Sequence, residues 1–97
     1  MKSIFIAYNQ AYQDIILKVL HRNLLKGYTL WDTVQGKGSN GGEPHLGDHA
    51  WPTLNGAILT VCQDHQVKPV LEELKKLDEA TPEQGLRAFV WSIEDGI

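Results

Sequence analysis

Between Gly36 and Pro52 the chain reads G-K-G-S-N-G-G-E-P-H-L-G-D-H-A-W-P, which gathers five of the nine glycines and two of the four histidines, so ligand chemistry is sought there first. Gly36-Lys37-Gly38-Ser39-Asn40-Gly41 has the spacing G-x-G-x-x-G. A dinucleotide fingerprint needs a helix opening straight after it to hold the pyrophosphate, and Gly42-Glu43-Pro44 cannot open one. A Walker A loop is excluded too, because Lys37 is followed by glycine and not by Ser or Thr. The remaining chemistry is a backbone nest: successive glycine N–H groups beside one lysine can bind an anion such as a phosphate. The alternative is a merely flexible loop, glycine being the default residue of any mobile segment.

Further along the same segment Glu43, His45, Asp48 and His49 form E-x-H-x-x-D-H, a ligand set suited to zinc, copper or nickel. His45 and His49 are the candidate ligands; hydrogen-bonding loop residues are the plainer alternative. A His-Asp pair also suits a general base and its orienter, but no nucleophile accompanies it. Cys62 lies in an apolar strand-like run and Ser39 has no distinguishing context, so no enzymatic activity is expected.

These residues need a scaffold. With 97 residues, 42% hydrophobic and 22% charged, the chain reads as one soluble globular domain spanning residues 1–97. The formal charge of −3 and the lack of a Lys/Arg cluster argue against nucleic acid, whose affinity comes from phosphate neutralisation. A single cysteine forbids an internal disulfide and fits a reducing compartment. No apolar run has the length of a membrane helix, and no signal-peptide layout follows Met1; a cytoplasmic protein is expected.

Ile4 to Tyr8 predicts a first strand. Tyr12, Ile15, Ile16, Val19, Leu20 and Leu24 then share one helical face, with Asn9 as candidate cap and Gly27 as the left-handed residue that ends the helix. Tyr28 to Gln35 alternates as a second strand leading into the glycine-rich loop, and Thr53 to Cys62 is a third, apolar on both faces. Val67, Val70, Leu71, Leu74 and Leu77 mark a second helix starting between Asp64 and Pro69, with Pro69 expected in its first turn. Thr81 to Gly85 breaks it, and Leu86 to Ile93 is the fourth strand.

The order β-α-β-β-α-β is that of an α+β, ferredoxin-like sandwich: a four-stranded antiparallel sheet with two helices on one face. The strands are apolar on both faces, so the sheet face without helices is expected to bury itself against other copies of the chain. Trp31 and Trp91 are assigned to core or interface packing and His21 and His65 to solvent, while Trp51 is a candidate to stack on a ligand base or, as an oligomer favours, to plug a subunit interface.

This order, the run V-Q-G-K-G from Val34 to Gly38, the long loop after it and the apolar third strand together resemble the PII signal-transduction family. The resemblance implies a compact homotrimer that binds ATP or ADP in clefts between subunits. It also implies a role in nitrogen regulation, with a loop that touches transporters or enzymes. By the same resemblance Gly36 and Gly38 lie against the phosphates and Asn40 stands where a ligand-contacting glutamine is usual, so that Gly36, Lys37, Gly38, Ser39 and Asn40 are expected to line the cleft. The family's second phosphate loop corresponds to Thr81 to Arg87, leaving Gly85 and Arg87 as its ligand-binding residues here. Two features depart from the family: the loop contains no tyrosine to modify, and the sequence ends at Ile97 where a basic segment would clamp a triphosphate. The divalent-cation-tolerance trimers share the architecture, and Trp31 with the His45/His49 pair keeps a zinc- or copper-binding trimer as the alternative.

Overall fold

The computed structural model describes residues 1–37 and 54–97. Its elements are β1 (Lys2–Asn9), α1 (Gln13–Arg22), β2 (Thr29–Val34), β3 (Asn55–Cys62), α2 (Asp64–Ala80) and β4 (Arg87–Ser92). Short 3₁₀ turns at Gln10–Tyr12 and Pro82–Gln84 precede α1 and β4. The sheet is antiparallel in the order β2-β3-β1-β4, which confirms the ferredoxin-like reading.

Register divides the sheet residues between two faces. Ile4, Ile6 and Tyr8 of β1 stand opposite Thr60, Ile58 and Gly56 of β3, and all six are buried. Onto this face α1 packs Ile16, Val19 and Leu20 and α2 packs Val70 and Leu74, completing one core with Leu25, Cys62 and Leu86. Each such aliphatic side chain removed from water contributes about 1.5–3 kcal/mol. The opposite face carries Leu59, Phe5 and Phe89 in one row and Val61, Ser3 and Trp91 in the next, with Trp31 beside Ala57. Phe89, Trp91, Trp31 and Val61 are exposed in the single chain.

Several local expectations are corrected. The left-handed residue after α1 is Leu24, at φ 66°, and not Gly27. Leu24 N–H bonds the His21 carbonyl and Leu25 N–H the Leu20 carbonyl, so the helix closes in a Schellman motif with a leucine where glycine is usual. Leu24 is consequently exposed, and Leu25 enters the core in its place. Ile15, expected on the buried face, is also exposed. Asn9 caps the 3₁₀ turn before α1, its Oδ1 accepting from Ala11 N–H at 2.9 Å, and does not cap α1 itself. Helix α2 begins at Asp64 with Gln63 as its cap, and the Gln66 side chain accepts from Gln63 N–H at 2.8 Å. Pro69 therefore falls inside the helix, where its missing N–H removes the helical bond to the carbonyl of His65.

The helices are tied by Glu73 of α2, which accepts from the Arg22 guanidinium and, at 2.6 Å, from Asn23 Nδ2. These bonds hold the Glu73 carboxyl below the usual carboxylate range. A depressed native value means stabilisation that is complete at neutral pH and fades as acid protonates the group. Glu73→Gln is thus expected to lower stability by about 0.2–1 kcal/mol at pH 7. Urea midpoints should show that difference shrinking as the pH falls below the ordinary carboxylate range. No helix among the described residues is long and apolar enough to cross a membrane.

Candidate functional site

One end of the sheet collects the described residues that the sequence singles out. β2 runs out here into Gly36 and Lys37, β3 begins at Asn55, β1 ends at Asn9, and β4 begins at Arg87 just after Gly85. Gly36 lies against the side-chain amide of Asn55, which is paired across the sheet with Asn9. Gly85 takes the left-handed conformation at φ 75° that turns the chain from the 3₁₀ segment into β4, where a side chain would be strained. Gly38, Ser39 and Asn40, and the candidate metal ligands His45 and His49, lie outside the described residues.

In the strand order, β2 and β4 are the two edges, three inter-strand spacings apart, which places the Gly36–Lys37 stem and the Gly85–Arg87 turn roughly 14 Å from each other. A small ion at one cannot touch the other. An extended ligand lying along the end of the sheet can reach both. Lys37 is exposed, whereas the Arg87 guanidinium is partly engaged, 3.4 Å from Asp78 and donating to the Leu86 carbonyl at 2.6 Å. Arg87 is thus a shared cation, held at the start of β4 by the end of α2.

Between these edges runs a network of side-chain hydrogen bonds that periodicity does not announce. Gln10 Nε2 donates to the Asp32 carbonyl at 2.7 Å and to Thr33 Oγ1 at 3.0 Å, while Gln10 N–H donates to the Leu54 carbonyl at 2.9 Å. Tyr8 donates its phenol proton to Gln13 Oε1 at 2.9 Å, and Gln13 Nε2 donates to Asp32 Oδ1 at 3.0 Å. Asn9 Nδ2 donates to Gln84 Oε1, and the Tyr12 and Thr81 hydroxyls are bonded to each other. Burial, and then the Asp32 carboxylate, push the Tyr8 phenol up to about 12, so it remains a donor at neutral pH. The one sequence signal for this network is the run of amide side chains, Asn9, Gln10 and Gln13, directly after an apolar strand.

Asp32 and Thr33 are held this way because β2 is irregular there. Trp31 pairs with Ala57 but Val34 with Asn55, so three steps along β2 match two along β3. This bulge interrupts the simple alternation expected for Tyr28 to Gln35 and turns Asp32 and Thr33 toward Gln10 and Gln13. No group of three or more His, Cys, Asp or Glu able to hold a metal occurs among the described residues. Cys62 is buried, and burial pushes its thiol up, away from the reactive thiolate. A groove of about 380 Å³ between Leu17, His21, Leu25 and Tyr28 lies at the other end of β2 from Gly36.

Comparison with known proteins agrees with this architecture. The chain is similar to CPII, a nitrogen regulatory PII-like protein from Thiomonas intermedia K12 whose structure holds ADP, AMP and bicarbonate. Identity is 26% and the TM-score 0.78, over 95% of this chain and 84% of that one. A second CPII structure, bound to ADP and bicarbonate, matches at 27% identity and TM-score 0.78 over the same shares. A PII-like signaling protein from Thermus thermophilus shares the fold at 22% identity and TM-score 0.70, over 95% of this chain and 85% of that one. A search of curated protein sequences finds no match. The model of the family described as nitrogen regulatory protein P-II matches residues 1–97, and the chain belongs to that family.

Proposed function

We propose that this PII-like regulatory protein binds an adenine nucleotide, ADP or ATP, along the end of its sheet and reports occupancy to a partner protein, a transporter or an enzyme, through the 36–52 loop. The observation that carries the reading is the placement of the Gly36–Lys37 stem and the Gly85–Arg87 turn at one sheet end, separated by a span suited to an extended anionic ligand. Gly36, Lys37, Gly38, Ser39, Asn40, Gly85 and Arg87 are the proposed ligand-binding residues. The ADP and AMP of the CPII structures support the choice of nucleotide.

The protein works in this reading as a cytoplasmic homotrimer with the nucleotide in clefts between subunits. The exposed Phe89, Trp91, Trp31 and Val61 on the helix-free sheet face support association of copies. It acts by binding and not by turnover, consistent with the buried, unreactive Cys62. Calorimetry with ADP, AMP and ATP, each with and without Mg²⁺ and bicarbonate, tests the proposal. Saturable heat with ADP is expected, weakened by Arg87→Ala. Absence of heat for every nucleotide would overturn it, and saturable heat for Zn²⁺ or Cu²⁺ alone would favour the metal-binding trimer.

A further inference from the structure

The turn from Asn9 to Gln13 does more than join β1 to α1. Gln10 holds both strands that flank the long loop: its side-chain amide takes Asp32 and Thr33 at the end of β2, and its backbone N–H takes Leu54 just before β3. Its neighbour Asn9 spends both ends of its amide as well. The oxygen fixes the turn through Ala11 N–H, and the nitrogen reaches Gln84 in the turn before β4. Tyr12 touches the same turn through Thr81. Gln13 completes the arrangement in one direction only, because the Tyr8 hydroxyl occupies its oxygen and leaves its nitrogen for the Asp32 carboxylate.

We infer that the Asn9–Gln13 turn is a positioning element that sets the placement of the β2 and β3 ends, Asp32 to Lys37 and Leu54 to Asn55, relative to the Thr81–Arg87 turn. β2 and β4 share no sheet hydrogen bond, since β3 and β1 lie between them. Side-chain bonds from two adjacent residues, Asn9 and Gln10, bridge that gap. The functional consequence rests on the nucleotide reading above: a ligand that shifts the Thr81–Arg87 turn moves the flanks of the loop through Asn9 and Gln10, and the reverse. The link itself exists without ligand and is tested without it.

The test records backbone amide NMR shifts of the ligand-free protein. Gln84→Ala removes the contact with Asn9, and is expected to shift the amides of Asp32, Thr33, Gly36 and Lys37 as well as those of its own turn. In a Gln10→Ala background the same substitution should shift the Asp32 to Lys37 amides markedly less, the Gln13–Asp32 bond carrying what remains. Gln10→Asn, which keeps the amide but shortens its reach, should behave like Gln10→Ala and guards against a folding defect in either variant. Shifts confined to residues 81–87 and Asn9, or distant shifts undiminished without the Gln10 amide, would overturn the inference. Adding ADP then separates the two proposals: several-fold weaker binding by Gln10→Ala extends the link to the ligand, while no ADP binding by the wild type removes the nucleotide reading and leaves the NMR result standing.

Discussion

Gly56→Val is expected to destabilise the protein by about 2–3 kcal/mol, read as a lower urea midpoint. Gly56 stands opposite Tyr8 in the β1–β3 register, and a Cβ built there would fall 2.7 Å from the Tyr8 ring carbons and hydroxyl. The ring has little room to retreat. It is fully buried, and moving it would break the phenol bond to Gln13 and strand a buried hydroxyl. Replacing a strand glycine normally gains about 0.5–1 kcal/mol through reduced chain entropy. That gain is smaller than the cost of overpacking a closed site, so the net effect is a loss. In a domain of this size each kcal/mol lowers Tm by about 4–8 °C. An unchanged midpoint would show that Tyr8 has an alternative position.

Phe89→Asp is expected to convert an assembly of three copies into single chains with their fold intact. Phe89 is 59% exposed in the isolated chain and sits in a row with Phe5 and Leu59, so a carboxylate there costs a lone subunit little. Buried between copies, the same unpaired charge is costly to desolvate. Light scattering should therefore report a wild-type mass of three chains and a single-chain mass for the variant, with the same circular dichroism. A wild type that scatters as a monomer at micromolar concentration would refute the assignment of this face.

What the sequence discloses and what it withholds divide along the range of the interactions. The buried stripe Ile16, Val19 and Leu20 is visible because helical spacing is local, and the element order follows from such stripes. The end of α1 is not, because the left-handed position fell to Leu24 and no composition rule selects a leucine over a nearby glycine. Pro69 misleads for a related reason: the Gln63–Gln66 bond starts α2 early enough to carry the proline inside. At the site, Gly36, Lys37, Gly85 and Arg87 are legible as residue types, and the fold brings them to one end of the sheet. The amides of Asn9, Gln10 and Gln13 are not, because their partners lie tens of residues away and ordinary helix-face polarity accounts for them equally well.

The extra residue in β2 also governs how this strand can change length. Side-chain direction in a strand has a period of two, so a single insertion or deletion normally exchanges its two faces. Here the odd residue between Trp31 and Val34 restores parity, keeping Trp31 and Val34 on the face of Ala57 and Asn55. Removing Asp32 or Thr33 would leave Val34 in register with Asn55, now without a bulge, while the pairs before Trp31 stayed as they are. Because β2 is an edge strand, the adjustment would leave the β1–β3 pairing untouched. The bulge is thus a phase joint, where β2 can change length by one residue while the β1–β3 register beneath it is kept.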